Sequence, residues 1–292
     1  MKTFDGRAVI AKAAHIVPLA MLFALILAPL AFAADTHVSA PTPWQVGMQE
    51  SATPVKEQIS GLYSMVFNIT IGIVALVFGL LGYIILRFNA KANPVPSPTT
   101  HNTLLEVVWT VVPVLILVVI AIPSFKLLAF QDKAQKADMT VKVTGHQWYW
   151  NYEYPDAGGV AFDSNLVPAD YLKPGQARFL DVDNRLVVPV GSNIRVLVAG
   201  SDVMHSWFVP SFGVQMYSIP GHLNESWFNV KQEGVYYGQC NQICGINHSY
   251  MPIVVEAVSK DDFDKWIAEK KHAAKGGANP LQLAAQSTAA AQ

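Results

Sequence analysis

Charge is scarce in this sequence. Asp, Glu, Lys and Arg make up 14% of its 292 residues, against roughly one quarter in an average soluble domain, which excludes a disordered or strongly solvated chain. The few charges nearly cancel: 20 basic against 21 acidic side chains leave a net charge of -1. No global attraction to nucleic acid arises, and no nucleic-acid partner is expected. Cysteine is scarcer still. With only Cys240 and Cys244 a multi-disulfide scaffold is excluded, and without a C-x-x-C-H run so is covalent c-type haem. Apolar residues are abundant, at 52%. The length allows one or two domains, and the apolar excess points to membrane segments in addition.

Residues 1–33 read as a secretory signal peptide. Lys2, Arg7 and Lys12 precede an apolar run from Ile16 to Leu30, and Ala31-Phe-Ala33 supplies a small-residue cleavage site. The run is too short, and too interrupted by Pro18 and Pro29, for a membrane span. Residues 34–61 then form an exported N-terminal segment. Leu62–Leu86 contains no charge, and neither does Val107–Pro123, which Glu106 and Lys126 flank; each can cross a bilayer as a helix, giving a transmembrane hairpin over residues 62–130. Arg87–Thr103 carries Arg87 and Lys91 and no acidic residue, which places it in the cytoplasm and both chain ends outside. An exported N-terminus demands the same topology.

Beyond Lys136 the apolar runs give way to alternation. Met139–Thr144 and Asn193–Val198 both read as strands, with turn residues between such segments. Residues 137–260 are therefore expected to form an all-β Greek-key sandwich or barrel. Residues 261–292 read as a charged helix followed by a Gly/Ala/Gln tail too poor in large apolar side chains to build a core.

One loop concentrates the chemistry. In Cys240-x-x-x-Cys244-x-x-x-His248-x-x-Met251 two thiols, an imidazole and a thioether recur at spacings a single loop can aim inward, and His205 stands upstream at the apparent end of a strand. A disulfide between Cys240 and Cys244, with His205 and Met251 as packing residues, is the bland reading. Soft thiolates, imidazoles and a weak thioether together suit copper, because structural zinc does not use a thioether. A mononuclear blue-copper site uses one thiolate. Two thiolates suggest two copper ions.

These residues, the two apolar helices and Gly145-His-Gln-Trp-Tyr-Trp-Asn-Tyr-Glu-Tyr154 resemble subunit 2 of the haem-copper cytochrome c oxidases, as do Asn89–Pro96, Asp183-Asn-Arg185 and Met251-Pro-Ile-Val-Val255. The resemblance covers roughly Ser60 to Lys260. It implies a cupredoxin domain holding the binuclear centre called CuA, with Cys240 and Cys244 bridging the coppers, His205 and His248 capping them, Met251 as a weak ligand and the backbone carbonyl of Gln242 completing the set. It further implies oxidase subunits 1 and 3 and cytochrome c as partners, and a bacterial inner membrane with the copper domain in the periplasm. Electrons would pass from cytochrome c to haem in subunit 1, where oxygen is reduced to water with proton translocation.

Four positions depart from that pattern. The family commonly has Glu where this chain has Gln242, and Lys, Asp and Arg at Gln215, Tyr217 and His222. The family's Glu reaches a magnesium ion at the boundary with subunit 1, and a neutral amide is a poor substitute for a hard cation's carboxylate. A boundary remodelled around lower charge is expected, with the magnesium ion in question.

Trp148 matches the surface Trp through which the family accepts electrons, whereas Trp150 and Tyr152 read as sheet packing. Asp156, Asp163, Asp183 and Asp202 are candidates for an acidic patch that docks a basic cytochrome. Glu106 is either a helix-start residue or, by the resemblance, the mouth of a proton path. His101, His146 and His222 are left as structural. Nitrous oxide reductase is a poor rival, since the chain has no room for its propeller, and a copper-free quinol oxidase subunit would not keep the ligands. A copper chaperone module would not need the hairpin and aromatic motif. A copper-containing nitric oxide reductase is separated only by its partner subunit.

Overall fold

The computed structural model describes residues 38–132 and 136–275. The expected signal peptide and the Gly/Ala/Gln tail lie outside them. Two long helices come first: α1 (Pro54–Arg87) and α2 (Thr103–Asp132). Both are long and apolar enough to cross a membrane, and both run past the uncharged stretches that mark them in the sequence. Helix α1 starts early because Thr53 and Pro54 form a start signal. The Thr53 side chain accepts the Lys56 amide at 3.1 Å, and Pro54 occupies the first turn, where its missing N–H costs nothing. Helix α2 tolerates Pro113 and Pro123 in its interior.

The domain that follows is two sheets face to face. The first contains, in spatial order, β5 (Leu186–Pro189), β11 (Pro252–Val258), β10 (Gly234–Cys240), β7 (His205–Val209) and β8 (Val214–Ser218), with the short β1 (Val38–Ser39) pairing parallel to β10. The second is ordered β4 (Val160–Ser164), β3 (Tyr149–Tyr154), β2 (Met139–His146), β6 (Ile194–Gly200) and β9 (Asn224–Phe228). The two alternating segments singled out in the sequence are β2 and the start of β6, paired in parallel from Met139↔Ile194 to Gly145↔Gly200. The sandwich combines parallel pairs, β1–β10, β5–β11 and β2–β6, with antiparallel ones, as the expected cupredoxin domain would.

Strand β3 shows how the core forms. Trp150, Tyr152 and Tyr154 alternate inward and are buried, each side chain contributing about 1.5–3 kcal/mol by leaving water. They meet Leu186, Ile194, Trp207 and Phe228 from both sheets. Helix α3 (Lys260–Lys275) closes one side by laying Trp266 edge-on to Tyr154, with ring centroids 5.4 Å apart.

The helices are tied to one end of this sandwich. The Thr53 hydroxyl donates to the Phe212 carbonyl at 2.6 Å, the Ala52 amide to the Ser211 carbonyl at 2.9 Å, and Glu57 pairs with Lys231. Phe130 of α2 packs edge-on against Trp227. Gly213 sits at φ +68°, and a Cβ there would meet Ile59 Cδ1 at 2.7 Å, so a bare glycine lets α1 approach.

Candidate metal centre

Strand β7 begins at His205 and runs beside the end of β10, where Cys240 pairs with Trp207. The Asn241 amide then donates to the Ser206 carbonyl at 3.1 Å, turning the chain into the loop that carries the remaining candidates back to β11. All five side chains converge. The donor atoms of His205, Cys240 and Cys244 lie within 4.8 Å of one another. The two Sγ atoms are 3.9 Å apart, and Cys244 Sγ stands 3.5 Å from His248 Nδ1 and 3.5 Å from Met251 Sδ. The Gln242 carbonyl faces Cys240 Sγ at 3.3 Å.

Several features fit these residues to a soft cation. His205 is fully buried, its Nε2 bonded to Asp202 Oδ1 at 2.8 Å, while its Nδ1 is buried without a hydrogen-bond partner. The carboxylate accepts the Nε2–H, so in the neutral imidazole the Nδ1 lone pair is the one left to face the thiols, as a metal-ligating imidazole requires. The thiols strain against each other electrostatically. Burial pushes Cys244 up to about 12, and the neighbouring Cys240 adds to the rise. Burial also opposes ionisation of Cys240, but the His205 imidazole and the backbone of Ser206 and Gln242 hold it below the ordinary thiol value. A cation between the sulfurs would relieve the second ionisation. The two cysteines are free thiols.

Residues outside the loop surround the site; of these the sequence reading passed over Gln147 and gave Trp150 and Asp202 other roles. Trp150 Nε1 donates to the Met251 carbonyl at 3.2 Å, holding the thioether in place. Gln147 Nε2 donates to the Cys244 carbonyl at 2.8 Å, and Trp148 Nε1 to that same oxygen at 3.2 Å. Asp202, read from the sequence only as a patch carboxylate, also receives the Gln147 amide on Oδ2 at 2.7 Å. Partial burial would raise its carboxyl, but the bonds from His205, Val203 and Gln147 bring it below the usual range.

The chain belongs to the cytochrome c oxidase subunit 2 family. Residues 139–258 match the model of the periplasmic domain of cytochrome c oxidase subunit II and residues 41–127 that of its transmembrane domain. A probable cytochrome c oxidase subunit 2 of Rickettsia felis is 48% identical over 251 residues, covering 86% of this chain and 80% of the relative. The cytochrome c oxidase subunit 2 of Chondrus crispus is 47% identical over 233 residues, or 78% and 91% of the two chains. Among solved structures, the periplasmic domain of subunit II of cytochrome oxidase from Bradyrhizobium japonicum is 46% identical over 48% of this chain and 98% of that domain, with a TM-score of 0.45.

Within this family member the remaining candidates scatter. Trp148 lies beside the thiol loop, half-buried. Tyr149, next to it, stacks on His146 with centroids 4.6 Å apart; burial raises its phenol, and the charges of Asp163 and Asp202 raise it further. Asp163 pairs in register with Asn151 two residues on, and Asp202 accepts the Gln147 backbone amide two residues back. Asp183 joins Asp163 through Asn184, whose side chain donates to the Asp163 carbonyl. Asp156 does not join them. It accepts the Thr140 amide at the opposite end of the β2–β3 hairpin, about 20 Å away at strand rise, because β3 runs its whole length between Trp148 and Asp156. Glu106 lies exposed in the first turn of α2, remote in sequence and fold from the thiol loop. Gln215 and Tyr217 are exposed on β8, His222 is exposed beyond it, and Gln242 is half-buried.

Proposed function

We propose that the chain is the electron-accepting subunit of a terminal oxidase, taking electrons from cytochrome c at a binuclear copper centre and passing them to haem in subunit 1. The observation that carries this reading is the convergence of two thiols, the Nδ1 atoms of His205 and His248, the Met251 thioether and the Gln242 carbonyl in one largely buried pocket. A bound copper pair there would take up and release one electron at a time. The residues of the chain do the rest. The loop and β7 fix the ligands before metal arrives, so little rearrangement accompanies a change of charge. Trp148, in contact with the Cys244 carbonyl, is the port from the donor, and Asp163 and Asp183, with Asp202 at the inner edge, form the patch that orients it. Asp156 is too distant to belong.

The finer assignments follow this reading. The domain faces the periplasm of a bacterial inner membrane, with the α1–α2 connection in the cytoplasm. Subunits 1 and 3 are its neighbours, and Glu106 stands at the cytoplasmic mouth of a proton path. Oxygen is reduced in subunit 1. The test is metal analysis and EPR of the purified oxidase: two coppers per chain beyond those of subunit 1, with a seven-line signal, support the reading, and a single copper or a zinc ion overturns it.

A further inference from the structure

The segment Gly145-His-Gln-Trp-Tyr-Trp150 turns back on itself, and its two ends meet. Gly145 on β2 and Trp150 on β3 are cross-strand partners, and both are buried on the inward face of the second sheet. His205 stands opposite them on the first sheet. Gly145 offers it a backbone without a side chain: a Cβ built there would stand 2.8 Å from His205 Cδ2, 3.0 Å from His205 Cγ and 2.7 Å from Ser218 Oγ. The φ of Gly145 is not positive, so this glycine supplies room rather than backbone freedom. Ser218 is the β8 partner of His205, and its hydroxyl donates to the Ala199 carbonyl of β6, which draws the two sheets together at this point. Trp150 makes the other two contacts. Its ring meets His205 edge-on with centroids 6.0 Å apart, and its Nε1 donates to the Met251 carbonyl at 3.2 Å.

From this geometry we infer that Gly145 and Trp150 are positioning residues, a single rung of the β2–β3 hairpin that seats His205 of β7 and Met251 of the thiol loop together. The inference rests on the copper reading above. His205 and Met251 belong to different elements, and the fully buried Trp150 touches both. A shift of β7 against the loop therefore has to move the indole as well. The potential of a copper site depends on its weak axial ligand, and groups behind the ligands set how those ligands point. Gly145 and Trp150 thus set the potential and the electronic structure of the centre without touching metal. The aromatic run then divides its work by position. Trp148 is the port for the electron, and Trp150, two residues on, fixes the ligands that receive it.

The test uses the intact purified oxidase and reads the copper EPR pattern, the reduction potential of the centre and copper retention against a chelator. Trp150→Phe keeps a ring in the core and deletes the bond to Met251. Both coppers should still bind, with an altered hyperfine pattern and a shifted potential. Retention should fall roughly tenfold or more, the usual cost of removing a group that holds a ligand. Gly145→Ala pushes on the His205 ring and should alter the hyperfine pattern likewise. Two controls separate positioning from a general loosening of the core. Tyr152→Phe removes a hydroxyl at the next inward position of β3, where it accepts from Trp207 Nε1 at 3.4 Å. Gly200→Ala changes the β6 partner of Gly145; its Cβ would stand 2.8 Å from the Ser218 carbonyl oxygen and next to Pro220, straining the same junction from the side away from the ring. Both controls should lower Tm and leave the copper spectrum and potential unchanged. If Trp150→Phe or Gly145→Ala behaves as its control does, the seat is wrong, as it is if the controls move the spectrum equally far. Should one variant fail to assemble, the other pair decides alone. An unmodified oxidase without two coppers in this subunit would overturn the functional reading itself, which these variants do not test.

Discussion

At one end of β7 stands His205, whose Nδ1 is buried with nothing to bond and whose neighbours are two thiols that resist shared ionisation. At the other end, a few residues on, the Ser211 and Phe212 carbonyls are met by the Ala52 amide and the Thr53 hydroxyl, and Phe130 closes on Trp227. The helix-anchored end spends its polar groups on joining helix to sheet. The thiol end instead turns its sulfur and nitrogen atoms toward one another in a single pocket. One strand thus links a region optimised for holding to a region optimised for binding, and substitutions at its two ends should fail in different ways.

The largest contrast comes from the thiols. Cys240→Ser or Cys244→Ser should abolish the two-copper EPR signal outright, yet the domain should still fold and stay fixed to α1, because neither thiol helps anchor the helices. Met251→Leu should be milder, shifting the reduction potential with copper still bound. A Cys variant that keeps the seven-line signal would erase the distinction between the ends. Next in size is Trp148→Phe, which keeps an aromatic ring and deletes the bond to Cys244. Reduction by cytochrome c should slow by roughly tenfold or more with donor affinity and the copper spectrum nearly intact; a loss of affinity would make Trp148 a docking residue.

The opposite end should respond in stability alone. Thr53→Ala removes both the cap on Lys56 and the bond to Phe212, a loss of about 1 kcal/mol, or a few degrees in Tm, with no change in the copper signal. Smaller again is the docking patch. Asp183→Asn should weaken cytochrome c association a few-fold at low salt and hardly at all at high salt, as rim charges do, and Asp156→Asn should leave association alone. An equal effect from Asp156→Asn would show that the patch is not confined to the Trp148 end.

Spacing picked out, before any fold was known, the side chains that the structure brings together. Cys240, Cys244, His248 and Met251 share one loop, and the alternation of β2 and β6 marked the sheet that supports it. The partners of those side chains were not legible. Asp202 is three residues from His205 and looked like a surface charge, because its bonds to His205 and Gln147 exist only once β7 and the β2–β3 hairpin are side by side. Trp150 was read as packing, and it is buried; its donation to Met251, 101 positions away, is a product of sheet closure. Asp156 was grouped with the wrong end because a sequence number does not say which end of a strand a turn closes. The helix boundaries fell short for a different reason: Lys56 and Glu57 interrupt the apolar run, although Thr53 and Pro54 had already set the start of α1.

The smallest effect on copper, and the most informative about the boundary, belongs to Gln242. The atom that faces Cys240 is its backbone carbonyl, so Gln242→Glu should leave the copper signal unchanged while adding a carboxylate beside the thiol loop. A carboxylate is what magnesium or its EPR-visible substitute manganese prefers. Gln242 does not stand alone, however. Tyr217, exposed on β8, pairs in register with Ser206, whose carbonyl receives the Asn241 amide, and Gln215 follows on the same outward face of β8; His222 is exposed after the next turn. This surface carries no formal charge at Gln215 and Tyr217, and none at His222 while that imidazole is neutral. Cells grown on manganese should therefore yield an unmodified oxidase with no strong manganese signal at this boundary, and Gln242→Glu should restore that signal only weakly, because one carboxylate does not rebuild the surrounding charge. A tightly held magnesium or manganese ion bonded to the Gln242 side chain in the unmodified complex would show that the amide suffices and that the boundary has not been remodelled.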